Sequence, residues 1–501
     1  MIRILNFGQR LLLGLAPATP VAPAAACALR LAAPRKQESQ IKNQRSALRG
    51  LNITLGMVGL LTGMALGQES VVVKNFKAAT GYYPPPHIAQ MKGLLQGEQA
   101  QRQPDGRYLV TQAKLGTFRE DGQAEMSVEA PECFYDETAS SVSSPGPVQA
   151  RTGNGAFSIA GEGFLWQTNY SLFISNRVHS IIFPRLLEPP APNASTNVPS
   201  ANTNPIEIFS DRFDYETNSG LGNYRGSVRV SGTNLAMSGG TLTFEIPMNA
   251  TQENGNSAPS RLQNVSAEQS VILDYGGVHA TAERATYATA TGLAQLSGHP
   301  AWRTNLWEGR GEQIVVDRTN KILRTMGEAY LKMPAQNLGA SGFILSTNFA
   351  NTNQAQATNG VIEILADNYE LRTNSAFFRQ SVEVAERVNG EVQGTMICGK
   401  LDAAFSGTNQ VQGLVAQENV VIQHEDQQFT ADKAEYVGSN AMLELTGHPA
   451  WQAGLRQGKG DLILVFARTN EMVVRGNARM RLPASEVTQG DRSAGAAEPS
   501  R

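Results

Sequence analysis

Residues 296–334 read "LSGHPAWRTNLWEGRGEQIVVDRTNKILRTMGEAYLKMP", and residues 445–483 read "LTGHPAWQAGLRQGKGDLILVFARTNEMVVRGNARMRLP". The second is a copy of the first. Gly298 and Gly447 are 149 positions apart (447 − 298), and the same offset aligns Trp302 with Trp451, Gly311 with Gly460 and Pro334 with Pro483. Upstream it aligns Val271 with Val420, Thr281-Ala282-Glu283 with Thr430-Ala431-Asp432, and Tyr287 with Tyr436. Further back the offset drifts, but Asp211-Arg212-Phe213 and Asp367-Asn368-Tyr369 still open the two units. Self-similarity over such a span marks repeated structural units. It predicts one unit over 206–334 and a second over 361–483.

Inside each copy the grammar is strand, turn, strand. "SVRV", "TLTFEIP", "SVILDY", "QIVVD" and "AYLKMP" are short, β-rich runs separated by Gly, Asn or Asp. At the unit ends the alternation is plain. Ala329, Leu331 and Met333 share one face against Glu328, Tyr330 and Lys332; Ala478, Met480 and Leu482 repeat this against Asn477, Arg479 and Arg481. One apolar face and one wet face is the pattern of antiparallel sheets. A shorter motif recurs as "DRFDY" (211–215), "ERATY" (283–287), "DNYEL" (367–371) and "DKAEY" (432–436). Period 2 predicts that its acid, middle apolar residue and last residue share a face at the start of a strand. Each unit is then a doubled half-unit, and the chain is all-β.

The 501 residues suit three or four domains. A net charge of −2 gives no electrostatic footprint for nucleic acid. Cys27, Cys133 and Cys398 make no spaced metal framework. A disulfide between Cys133 and Cys398 and two free thiols both stay open. Residues 1–68 read as an export signal or membrane anchor. Arg49 supplies a positive flank, Leu51–Leu66 an apolar run, and Ala65-Leu66-Gly67 a small-residue cleavage pattern. Either way the remainder is exported, tethered to the inner membrane if residues 51–66 are retained. A β-rich block is expected over 88–183. Polar linkers are expected over 188–205 and 335–360, a polar loop over 248–260 and a disordered tail over 484–501.

The run Gly-x-Pro-Ala, a loop with Gly-x-Gly, a strand, an Asn-containing turn and Gly-x-Ala-x-Leu resembles the OstA-like lipopolysaccharide-transport superfamily. That superfamily includes LptA, LptC and the N-terminal domain of LptD. The matching residues are Gly298, Pro300, Ala301, Gly309, Gly311, Gly327, Ala329 and Leu331. In the second copy they are Gly447, Pro449, Ala450, Gly458, Gly460, Gly476, Ala478 and Met480. The resemblance implies tandem V-shaped antiparallel β-jellyrolls, with an LptC-like unit over 88–183. It implies acyl chains of lipopolysaccharide, or a related glycolipid, in an apolar groove in the periplasm, carried between inner and outer membrane. Homologous jellyroll domains of the two membrane complexes would pair with its sheet edges. Two fused units depart from the usual single unit, so part of the bridge is covalent here.

Groove-lining candidates are Ile314, Val316, Leu323, Leu331, Ile463, Val465, Val473 and Met480; the bland alternative is that they fill a dry core. No cofactor or metal is expected. His299 and His448 stand at equivalent turns without a ligand cluster, and Trp302 and Trp451 are read as packing residues. The recurring acids Asp211, Glu283, Asp367 and Asp432 are read as structural, since a catalytic carboxylate pair would occur once. With no nucleophile motif, the chain reads as a non-enzyme. The competing readings are a lipid-free envelope scaffold and an exported polysaccharide-acting β-solenoid enzyme.

Overall fold

A computed structural model describes residues 72–153, 155–167, 171–183, 204–216, 219–246, 262–335, 360–406, 410–467, 469 and 471–483. The expected signal or anchor, the polar loop 248–260, the tail 484–501 and nearly all of both linkers lie outside these residues, as does Cys27.

The first block is seven strands: β1 (Val72–Tyr82), β2 (Met91–Arg102), β3 (Tyr108–Phe118), β4 (Ala124–Asp136), β5 (Ser141–Thr152), β6 (Phe157–Gln167) and β7 (Ser171–Ile182). It thus begins ahead of residue 88. The first copy holds β8 (Ile206–Ser210), β9 (Arg212–Glu216), β10 (Leu221–Gly232), β11 (Leu235–Glu245), β12 (Asn264–Tyr275), β13 (Val278–Ala288), β14 (Leu293–Ser297), β15 (Ala301–Arg303), β16 (Glu308–Arg310), β17 (Gln313–Asp317) and β18 (Ile322–Pro334). The second copy holds β19 (Gly360–Leu371), β20 (Ser375–Val388), β21 (Glu391–Phe405), β22 (Val411–His424), β23 (Gln427–Val437), β24 (Met442–Thr446), β25 (Ala450–Ala453), β26 (Arg456–Lys459), β27 (Leu462–Phe466), β28 (Glu471–Arg475) and β29 (Arg479–Arg481).

All ladders are antiparallel, and together they make one continuous sheet. Several short strands are halves of one bent rung. β8 and β9 both pair with β7 and β10; β14 and β15 both pair with β13; β24 and β25 both pair with β23. The longer strands bend at the same level, where their registers slip, as between Met326 and Ala329 or Gln417 and Val420. Every rung of the two copies therefore crosses a corner, and the sheet folds into two arms. The arms touch inside: a Cβ placed on Gly309 of one arm would lie 2.5 Å from the Tyr369 hydroxyl of the other.

The corner obeys a rule. Rungs running one way turn on a pair of residues with positive φ: Gly226-Ser227, Gln269-Ser270, Gly298-His299, Gly327-Glu328, Gln380-Ser381, Glu418-Asn419, Gly447-His448 and Gly476-Asn477. That conformation favours Gly, Asn and short polar residues. Rungs running the other way turn on residues of ordinary φ. On five of these an acid lies over the neighbouring corner glycine. The backbone N–H of Asp432 donates to the Gly447 carbonyl (2.8 Å), and that of Asp461 to the Gly476 carbonyl (2.9 Å). A Cβ on Gly298 would come 2.5 Å from Glu283 Cβ, and one on Gly447 2.5 Å from Asp432 Cβ. Asp211 and Glu312 stand in the same relation to Gly226 and Gly327.

This corrects the expectation for the recurring acids. Asp211, Glu283, Asp367 and Asp432 sit at mid-rung corners, not at strand starts, and they are exposed. The bend resets the alternation. Glu283 and Arg284 both point outward, while Ala282 and Tyr287 on either side are buried. His299 and His448 are corner residues too; His448 Nδ1 lies 3.1 Å from Asp432 Oδ2.

Both unit junctions are sheet-continuous, as the fused-bridge reading expects. β7 pairs with β8 and β9, and β18 pairs with β19 over ten residue pairs from Leu323 to Pro334. Apolar side chains from both arms fill the inside. They form two clusters, one running from Leu95 to Val271 and one from Leu273 to Ile463. The division falls inside the first copy, not at its ends. Leu235, Met237, Val265 and Ala285 pack against both clusters, so the apolar interior runs on across that point.

Candidate functional site: the apolar interior and its open ends

The interior collects most of the residues singled out in the sequence. Ile314, Val316, Leu323, Leu331 and Ile463 are all buried within it. Val465 is half-buried and packs against the same cluster. Val473 does not belong there. It pairs with Leu464, whereas the interior residue Ile463 pairs with Val474, so Val473 lies on the outward face. The 149-residue offset makes Val473 the counterpart of Arg324; Leu323 corresponds to Met472. Met480 does face inward, paired with Gly458 beside Trp451, but it is 63% exposed because no described strand follows β29.

Trp302 and Trp451 are interior side chains, 4% and 8% exposed. Each lies over a glycine of the next rung, Gly309 or Gly458, where a Cβ would overlap the indole. This explains the spacing from Trp to the first glycine of the Gly-x-Gly loop. Cys133 and Cys398 are free, buried, and in different clusters. Burial pushes their thiols up to about 12 and about 11, which leaves them un-ionised and unreactive at neutral pH.

Sequence reading missed the interior's aromatic crossings. Near the start of the first copy Phe213 and Tyr224 pack with ring centroids 4.8 Å apart; near the start of the second, Tyr369 and Phe378 lie 5.8 Å apart. The two phenols have exchanged partners in the pair, which hides the equivalence in the sequence. Each phenol is fully buried. Burial pushes Tyr369 up to about 12, partly offset by Thr325 and Trp302 nearby. Yet Tyr369 Oη, Thr325 Oγ1 and Trp302 Nε1 form no hydrogen bond of normal geometry. They are polar atoms left over in an apolar interior.

The interior is apolar. Most side chains inside are aliphatic or aromatic and make few directional demands; outward positions are mixed, with exposed apolar residues such as Ile272, Leu365 and Ile397 among the polar ones. Among the described residues no cluster of three or more His, Cys, Asp or Glu side chains could hold a metal ion. Among the described residues no strand pairs with the outer edge of β1 or of β28 and β29. Val72 and Val73 of β1 are 48% and 43% exposed, and Met480 of β29 and Leu482 just after it are 63% and 41% exposed.

The chain is an all-β protein of the β-jellyroll class, its antiparallel sheet folded around an apolar interior. Residues 207–322 match the profile of the family described as LptA/(LptD N-terminal domain) LPS transport protein. This stretch, from β8 to the first residue of β18, is an OstA-like domain of the lipopolysaccharide-transport superfamily. Among solved structures, the chain is similar to LptH, described as the LptA-homologous periplasmic component of the lipopolysaccharide transport device from Pseudomonas aeruginosa. That match has 11% identity and a TM-score of 0.22, and covers 24% of this chain and 94% of LptH. No curated protein matches the chain.

Proposed function

We propose that this chain is a periplasmic carrier of lipopolysaccharide or a related glycolipid. Acyl chains lie between the two arms, sugars stay outside, and cargo moves along the rungs from inner towards outer membrane. The single observation that carries the reading is the apolar interior shared by the first block and both copies, in a chain with an OstA-like domain. Each methylene leaving water contributes about 0.8 kcal/mol, so a lipid with several chains needs such a continuous path across an aqueous space. The phenol and indole groups stranded inside would find acceptors in the oxygen atoms where acyl chains join the sugar. Edge strands at both ends would dock homologous jellyroll domains, and residues 51–66 would tether or export the chain. The recurring acids have a structural role at the corner, which removes the main argument for a glycosidase.

A lipid-free scaffold is favoured by one observation, the near-complete burial of both arms against each other, as at Leu331 and Ile463. Transport then requires the arms to part. The test is to purify the exported chain from cells that make lipopolysaccharide, extract it and identify co-purified lipid by mass spectrometry. Binding of fluorescent lipopolysaccharide is then titrated with and without Leu331→Asp. Co-purified glycolipid and saturable binding weakened at least tenfold by the substitution support carriage. A folded chain that carries no lipid and does not bind the fluorescent probe is a scaffold.

A further inference from the structure

We infer that the outer face of the last arm, where β23, β25, β26 and β29 lie side by side, holds a binding site for a water-soluble, phosphate-bearing saccharide. The site lies on the opposite face of these strands from the apolar interior, and it rests on neither lipid carriage nor edge pairing.

Two outward rows cross the four strands. Gln428, Gln452, Gln457 and Arg481 stand in register in one row. Thr430, Ala450, Lys459 and Arg479 stand in register in the other. Between them runs the inward row of Phe429, Trp451, Gly458 and Met480. The two outward rows, with Trp451, Gly458 and Met480 of the same strands, line a hollow of about 310 Å³. That lies at the lower end of the range of small-molecule sites, about 300–1,000 Å³. No acid lines it.

The first copy shows the same face satisfying itself. The 149-residue offset places Glu308, Arg310, Tyr330 and Lys332 at Gln457, Lys459, Arg479 and Arg481. In the first copy Glu308 stands opposite Lys332, and the Arg310 guanidinium lies over the Tyr330 ring, 4.4 Å from its centroid. His279, the counterpart of Gln428, lies 2.7 Å from Asp274. In the second copy both cross-strand pairs have lost this match. Neutral Gln457 stands opposite Arg481, and Lys459 stands opposite Arg479. Like charges directly opposed destabilise a strand pair, so the face gains from an anion bound between them. Lys459, Arg479 and Arg481 are exposed. Among the described residues no carboxylate is paired with them, whereas Lys400 and Lys433 of the same copy are paired with Glu418 and Glu435. Asp461, two residues beyond Lys459, accepts from Asn477 at 2.9 Å.

The ligand class follows from these groups. Arg479 and Arg481 sit about 7 Å apart along β29, with Lys459 across from the first. Guanidinium forks match phosphate oxygens. A phosphate monoester, with a charge of about −1.5 to −2, suits three cations with no acid among them. Beside the cations stand three glutamine amides and the Thr430 hydroxyl. Amides and hydroxyls both donate and accept, which is what sugar hydroxyls require. A lipid held in the interior lies on the other side of the sheet, so the ligand of the hollow is a sugar without hydrocarbon.

The test is a ligand-observed NMR titration of the full chain at low salt, where screening is weak. The probes are glucose 1-phosphate, glucose, inorganic phosphate and phosphoserine. Glucose 1-phosphate is expected to bind at least tenfold more tightly than the other three. Lys459→Gln with Arg479→Gln should weaken it at least fivefold. Gln457→Glu, which restores the acid of the first copy, should weaken it at least threefold. Lys74→Gln with Lys77→Gln, which removes the same charge from exposed positions of β1, should change it less than twofold. Chemical unfolding checks that each variant is folded. No binding of glucose 1-phosphate, or an equal loss in the β1 variant, overturns the site. Equal binding of inorganic phosphate or phosphoserine overturns the saccharide assignment. Fluorescent lipopolysaccharide whose binding falls with Lys459→Gln and Arg479→Gln gives the hollow to a lipid head group and overturns the proposal in its favour.

Discussion

Leu331 and Met480 occupy the same place in two copies of one sentence, yet Leu331 is 0% exposed and Met480 63%. Their neighbours match as well: Trp302 and Gly309 beside one, Trp451 and Gly458 beside the other. What differs is the next strand. β19 lies against β18 and closes the interior over Leu331, and no described strand does this for β29. Burial in such a ladder belongs to the junction, not to the repeat, as expected where each unit completes the core of its neighbour.

The largest contrast should come from charge. Leu331→Asp buries an unpaired carboxylate and should cost about 4 kcal/mol or more, whereas Met480→Asp should stay within about 0.5 kcal/mol. Chemical unfolding of the two variants checks this; equal costs would mean that β29 is covered in solution. Next comes volume. Gly309→Val drives a side chain into Tyr369 and Trp302 between closed arms and should cost about 2–3 kcal/mol. Gly458→Val meets Trp451 first, at an end that no described strand covers, and should cost about half as much, read by the same unfolding curves.

A smaller effect has the opposite sign. Tyr369→Phe removes a buried hydroxyl that has no well-formed hydrogen bond, so it should be neutral or stabilise by up to about 1 kcal/mol. A loss above that in thermal unfolding would mean that the phenol does bond inside. The smallest effect is the junction's ion pair. Burial would raise the Glu370 carboxyl, but bonds from Arg324 and Arg372 outweigh it and hold the group below the usual carboxylate range. Its contribution is therefore present above the unfolded carboxylate value, about 4.3, and is lost as pH falls through the lower folded value. Glu370→Gln should cost about 0.5 kcal/mol at pH 7 and nothing at a pH below the folded value. A cost that persists at such a pH would assign the effect to packing.

The repeat, the β class and the junction pairing were legible because literal copies and period-2 alternation survive in the chain. The corner was not. An acid two residues before an apolar residue reads as one face, and only the fold shows that a bend intervenes at Asp432 or Glu283. The same hidden bend makes Val473 look like a lining residue when its outward partner is Leu464. Met480 lies on the expected face, but no local pattern reports that no described strand pairs beyond it. The aromatic crossings stayed hidden because Phe213–Tyr224 became Tyr369–Phe378, a swap that preserves shape and moves the hydroxyl.

The central claim is that hydrocarbon occupies the inside of this ladder. The most direct measurement places a photocrosslinking aromatic residue at Trp451 or Val465, which face in, and at Gln452 or Arg481, which face out, in cells making lipopolysaccharide. Lipid adducts from the first pair and none from the second are the expected result. Folded, exported protein with no adduct at any of the four positions, or with adducts only at the outward pair, would contradict the account.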